Sequence, residues 1–238
     1  MFIRLLYDKF YICSMCENRL GGWAVDVMFV DDMKNTLLTV SLLSAAAALS
    51  AQSSSPAMSY DFVRVGFAQE KYLDGLTVSG SALLGDHIIV GGEYRDLNGR
   101  GFNGGGEATA FNLGARFGVG YGDIIISASY GQLQGSAINE DDELGVLAGN
   151  QTTLSLTYRH SFSDTWEAFV GVSNIRTEAA MGAFNFDTGD FNVGAGRSSD
   201  SAVSVAVRCN LSKEFDITAS NVWVDGDATW SLSVGYNF

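Results

Sequence analysis

Proline is almost absent from this chain, one residue in 238, and cysteine and histidine are scarce at three and two. Charge is sparse too, at 17% of residues, against 28 glycines. So few cysteines and histidines leave little material for a metal cluster or a relay of bases. The low charge and high glycine content suit a strand-rich chain in which side chains are omitted inside the fold or at turns. Beyond the leader described next, no apolar run reaches the roughly 20 residues that a spanning helix needs. This excludes a helical membrane protein.

From Met33 the chain reads MKNTLLTVSLLSAAAALSAQ, with Lys34, an apolar stretch from Leu37 to Leu49 and small residues up to Ala51. That is the pattern of a secretory signal peptide over 33–51, cut after Ala51. Residues 1–32 lie upstream of it, where an exported protein has no use for them. They read as a mis-called upstream extension, with Met33 as the initiator. Cys13 and Cys16 form a C-x-x-C pair inside that extension, without a second pair or a histidine nearby, and carry no metal or redox prediction. Cys209 remains, and it continues the series Val203, Val205, Val207 as a lipid-facing filler.

What the mature region does contain is alternation. The last nine residues, WSLSVGYNF, place Trp230, Leu232, Val234, Tyr236 and Phe238 on one face and Ser231, Ser233, Gly235 and Asn237 on the other. The same period of two recurs from residue 60 onward and predicts about ten strands, with eight as the alternative. They fall near 60–69, 75–83, 87–95, 107–117, 123–131, 151–160, 165–176, 201–211, 215–224 and 230–238. There are too few other apolar segments to cover so many greasy faces, so the cover is lipid. Residues 52–238 are therefore expected to form an all-β, closed antiparallel transmembrane barrel, which leaves no backbone edge in hydrocarbon.

The connections alternate in character. Tight links at 84–86, 118–122, 161–164 and 212–214 are expected as periplasmic turns. Longer polar segments at 97–106, 132–150 and 177–199, with short hairpins at 70–74 and 225–227, are expected as extracellular loops. Both termini then face the periplasm.

The signal peptide, the opening SYDFVRVGF, the segment GGEYRDL and the closing SLSVGYNF together resemble the small outer-membrane β-barrels of Gram-negative bacteria, the OmpA/OmpX-like and porin-like group. The resemblance covers essentially everything after Ala51. It implies a location in the cell outer membrane and contact with outer-membrane lipid and lipopolysaccharide. It also implies that the terminal aromatic strand, Trp230, Leu232, Val234, Tyr236 and Phe238, is the signal read by the barrel assembly machinery. Enzymes of similar build, the outer-membrane proteases and lipid A deacylases, carry a histidine with acidic or serine partners at the extracellular rim. His87 and His160 border periplasmic turns instead, so no catalytic residues and no cofactor are assigned.

After Ala51 there are 22 acidic and 10 basic residues, a balance that argues against nucleic acid as a partner. The run Glu140, Asp141, Asp142, Glu143 lacks the spacing of a calcium loop, and Asn98 to Gly106 lacks the end of a phosphate loop. Both read as surface loops. Inward-facing charges are the more informative feature: Arg64, Glu93, Arg95, Arg116, Arg159, Glu167, Arg208 and Asp216. In a narrow lumen such charges must be paired or hydrated. Arg116, Arg159, Glu167, Arg208 and Asp216 fall near the periplasmic strand ends and are expected to form one cluster. Two roles stay open at this point: a plug of ion pairs, or a ring that gives a narrow passive channel a weak anion preference. No surface ligand can be named from the sequence.

Overall fold

The computed structural model describes residues 58–100, 103–138 and 143–238. The expected extension and signal peptide lie outside the described residues, as does the acidic run except for Glu143. Ten strands follow in order: β1 (Phe62–Gln69), β2 (Leu73–Leu84), β3 (Ile88–Gly99), β4 (Asn103–Val119), β5 (Gly122–Ile138), β6 (Glu143–Ser161), β7 (Trp166–Asn185), β8 (Phe191–Asn210), β9 (Phe215–Val224) and β10 (Asp227–Asn237). Every strand pairs antiparallel with its sequence neighbours, and β1 pairs with β10, so the sheet closes. The eight-strand alternative is thereby excluded.

The alternation explains the wall. Val63, Val65 and Phe67 on β1, Val203, Val205 and Val207 on β8, and Leu232 and Val234 on β10 are all exposed, though they are among the most apolar residues present. A soluble protein would bury such a band; here it girdles the molecule. Aromatic residues fringe it. Tyr121, Tyr158, Phe162, Trp166, Phe215, Tyr236 and Phe238 stand at the end with the tight turns, and Phe111, Tyr130, Trp223 and Trp230 toward the other end. Two of the tight turns use glycine in the left-handed region, Gly85 (φ 64) and Gly120 (φ 62), where a side chain is disfavoured.

At the other end the structure corrects the sequence reading. Segments 132–150 and 177–199, expected as loops, are largely strand, and so is most of 97–106. β6, β7 and β8 run to 19, 20 and 20 residues, roughly twice what crosses a membrane. Above Ala202, β8 no longer has β9 beside it, although β7 pairs with it up to Phe191. The tall wall of β4 to β8 therefore stands above a low wall of β9, β10, β1 and β2.

Candidate functional site: a charged layer inside the barrel

Inward-facing positions near the tight-turn end bring charges from seven strands into one layer. Arg159 on β6 donates through Nε and Nη2 to Glu167 Oε2 on β7, at 2.9 and 2.6 Å. Arg208 on β8 approaches the same carboxylate oxygen at 3.4 Å, and its Nε lies 4.0 Å from Asp216 Oδ1 on β9. Arg64 on β1 donates to both oxygens of Asp216 at 3.1 Å, the two-pronged geometry that a guanidinium and a carboxylate favour. Arg116 on β4 lies 3.6 Å from Asp123 on β5. Asp123, Arg159 and Asp216 are at most 1% exposed.

The short stretch ahead of β1 completes the layer. The Tyr60 hydroxyl donates to Asp123 Oδ2 at 2.5 Å, and Arg159 donates to the Ser59 carbonyl at 3.0 Å. Burial raises the pKa of the Tyr60 phenol, outweighing the nearby Arg159 charge that lowers it, and the bond to Asp123 adds to the rise. Tyr60 is thus a hydrogen-bond donor across the ordinary pH range.

Three aromatic rings interleave the guanidiniums. Arg116 and Arg159 lie over Tyr60 at 4.9 and 4.6 Å. Arg159 and Arg208 lie over Phe169 at 5.2 and 5.0 Å, and Arg208 and Arg64 over Phe62 at 5.8 and 3.6 Å. The result is a continuous stack: Arg116, Tyr60, Arg159, Phe169, Arg208, Phe62, Arg64. Four cations share three carboxylates, and the ring faces attract the cations that the carboxylates serve incompletely. Gly235 faces Asp216, and a Cβ there would meet its carboxylate oxygen at 2.6 Å, so the layer needs glycine at that point.

The structure adds members to the cluster expected from sequence. Arg116 lies in the layer through Tyr60, but its ion pair is with Asp123 rather than with Glu167 or Asp216. Arg64 does join, through Asp216. Glu93 and Arg95 pair with each other on β3. Asp123 is not among the charges expected from sequence, although it opens the strand expected over 123–131 and its phase, opposite to Ile124 and Ile126, points it inward. Phe62, Tyr60 and Phe169 were missed although Phe62 and Phe169 break the small-residue pattern of the inward positions. That break was the available signal.

The histidines sit elsewhere. His87 Nδ1 lies 3.2 Å from the Arg116 carbonyl, and His160 packs edge-on against Phe162 with Tyr158 Oη 3.1 Å from its Nδ1, both at the tight-turn end. No group of three His, Cys, Asp or Glu side chains is placed to hold a metal ion among the described residues.

No family model matches the chain, and neither does any curated protein. Solved structures do. The translocator domain of autotransporter NalP from Neisseria meningitidis is 12% identical, with 87% of this chain and 96% of that one covered at a TM-score of 0.50. The KdgM porin is 11% identical over 74% and 99%, at a TM-score of 0.42. Ail, the attachment invasion locus protein of Yersinia pestis, is 15% identical over 76% and 100%, at a TM-score of 0.37. At such identities the likeness concerns the fold. This chain is a small β-barrel of the outer-membrane type.

Proposed function

We propose that this protein is an integral outer-membrane barrel with a structural or surface-interaction role, its lumen closed by the arginine–aromatic layer. The observation that carries the reading is the burial of Arg159, Arg208, Asp123, Glu167 and Asp216, with the stretch ahead of β1 crossing the lumen to bond Asp123 on β5 through Tyr60 and Arg159 on β6 through Ser59. Charges so enclosed are held by one another rather than by water. The tight-turn end faces the periplasm, with both termini, and the tall wall faces outward into lipopolysaccharide. The mature chain begins near Gln52 after residues 33–51 have directed export, and the mass of the protein extracted from outer membranes checks this. The strand ending in Phe238 is the assembly signal. Deleting Phe238 should lower the amount of heat-modifiable barrel at unchanged synthesis, and an unchanged amount would count against it.

A narrow channel with weak anion preference is the second reading, favoured by four guanidiniums against three carboxylates in the layer. No enzymatic role is assigned, since both histidines lie at the turn end and outside the layer. Substituting Arg159→Ala separates plug from pore. If the layer is a plug, urea unfolding shifts to lower concentration and planar-bilayer recordings of the parent stay silent. If it lines a wet pore, stability changes little while conductance or anion preference shifts.

A further inference from the structure

Just above the exposed aromatic pair Phe111 and Tyr130, the outer wall carries a hollow of about 460 Å³. That volume lies within the range of small-ligand pockets. Two rungs of the sheet line it. Thr109, Gln132 and Asn150 face one another across β4, β5 and β6, and Glu107, Gln134 and Ala148 form the next rung outward. Gln134 donates to Glu107 at 3.0 Å. The amides of Gln132 and Asn150 and the Thr109 hydroxyl bond to no other side chain among the described residues.

The chemistry is selective. Amides and a hydroxyl each donate and accept, which matches the hydroxyl groups of a saccharide. The only charged lining residue is Glu107, so nothing in the hollow would hold a phosphate or a carboxylate. Two exposed rings directly below offer flat apolar faces to the carbon skeleton of a sugar. Ala148 supplies the space: neighbouring positions carry longer side chains, and its methyl group leaves the hollow open.

We infer that this hollow seats a neutral or amino sugar in the headgroup of a membrane glycolipid. The position decides the source. Rings of this kind mark the boundary between hydrocarbon and headgroups, so the rung above them meets lipid-anchored sugars first. The inference rests on the membrane-embedded reading above.

The test uses the full barrel in detergent, where orientation does not matter, titrated with a fluorescent N-acetylglucosaminyl diacylglycerol, a glycolipid whose headgroup carries neither phosphate nor carboxylate, and competed with free chitobiose. Parent protein should bind this glycolipid at least tenfold more tightly than the double variant Gln132→Ala, Asn150→Ala and than Ala148→Leu, which fills the space. All of these residues are exposed, and unchanged heat-modifiable migration confirms folding. Affinities within twofold of the parent in both variants would overturn the site. Full displacement by chitobiose at equal concentration would overturn the glycolipid as its source. Failure of the barrel to insert into membranes at all would strike the earlier reading while leaving these titrations interpretable.

Discussion

At the tight-turn end the interior holds four guanidiniums, three carboxylates and three rings, with several of these side chains under 5% exposed; at the far end β6 to β8 run on for about 30 Å at roughly 3.3 Å per residue. The far end has ion pairs as well. Arg197 Nε lies 3.2 Å from Glu178, but its side chain is 71% exposed. The same pair of chemical groups is therefore used on opposite terms. Inside, if the layer is the plug proposed above, removing one partner strands the other in a medium that cannot solvate it. Outside, water replaces the lost partner. The difference is one of surroundings, since the distances are similar.

The largest expected effect that would sharpen this contrast comes from Asp216→Ala. It removes the carboxylate that Arg64 grips with two bonds and that Arg208 faces, and should destabilise the barrel by about 3–5 kcal/mol. Urea unfolding in lipid or detergent reads this directly, and a loss below about 1 kcal/mol would mean the layer is well hydrated. Next comes Tyr60→Phe, which keeps the ring between Arg116 and Arg159 and deletes only the bond to Asp123. A hydrogen bond to a charged group supports a loss of about 1.5–3 kcal/mol. The smallest effect belongs to Arg197→Ala on the tall wall. It should stay within about 1 kcal/mol, as for other exposed pairs, and any residue shall fade with added salt. A loss there equal to that of Asp216→Ala would erase the distinction between the two ends.

How much of this was legible beforehand follows from the same contrast. Where lipid lies on one side and a packed lumen on the other, as along Val203 to Arg208, the two faces must differ and the alternation is plain. In segments 132–150 and 177–199 the outward positions leave the lipid and take Gln132, Gln134 and Glu178, while Leu133, Leu147, Thr177 and Ala179 are buried inside. The pattern of apolar outside and polar inside is lost there, and the sequence reads as loop. Inward charges could be placed strand by strand from their phase. Which of them touch could not, because pairing between Arg64 and Asp216 depends on closure of β1 onto β10, a contact between the two ends of the barrel sequence. Asp123 shows the same limit. Its place at the start of the strand, opposite in phase to Ile124 and Ile126, points it inward, but its partners Tyr60 and Arg116 come from separate segments that only the fold brings to it.

Asp216 also bears on how the barrel comes to be closed. Its carboxylate accepts from Arg64 on the first strand and from Asn237, the final residue of the last strand, at 3.1 Å each. The backbone N–H of Phe238 then reaches the Asp61 carbonyl at 3.1 Å, on the other lip of the same join. The seam between first and last strands is thus clasped from within by a side chain belonging to neither. An open sheet would leave that carboxylate with Asn237, Thr218 and the more distant Arg208 but without its two-pronged bond to Arg64. Zipping the seam and seating Arg64 on the clasp are therefore a single event.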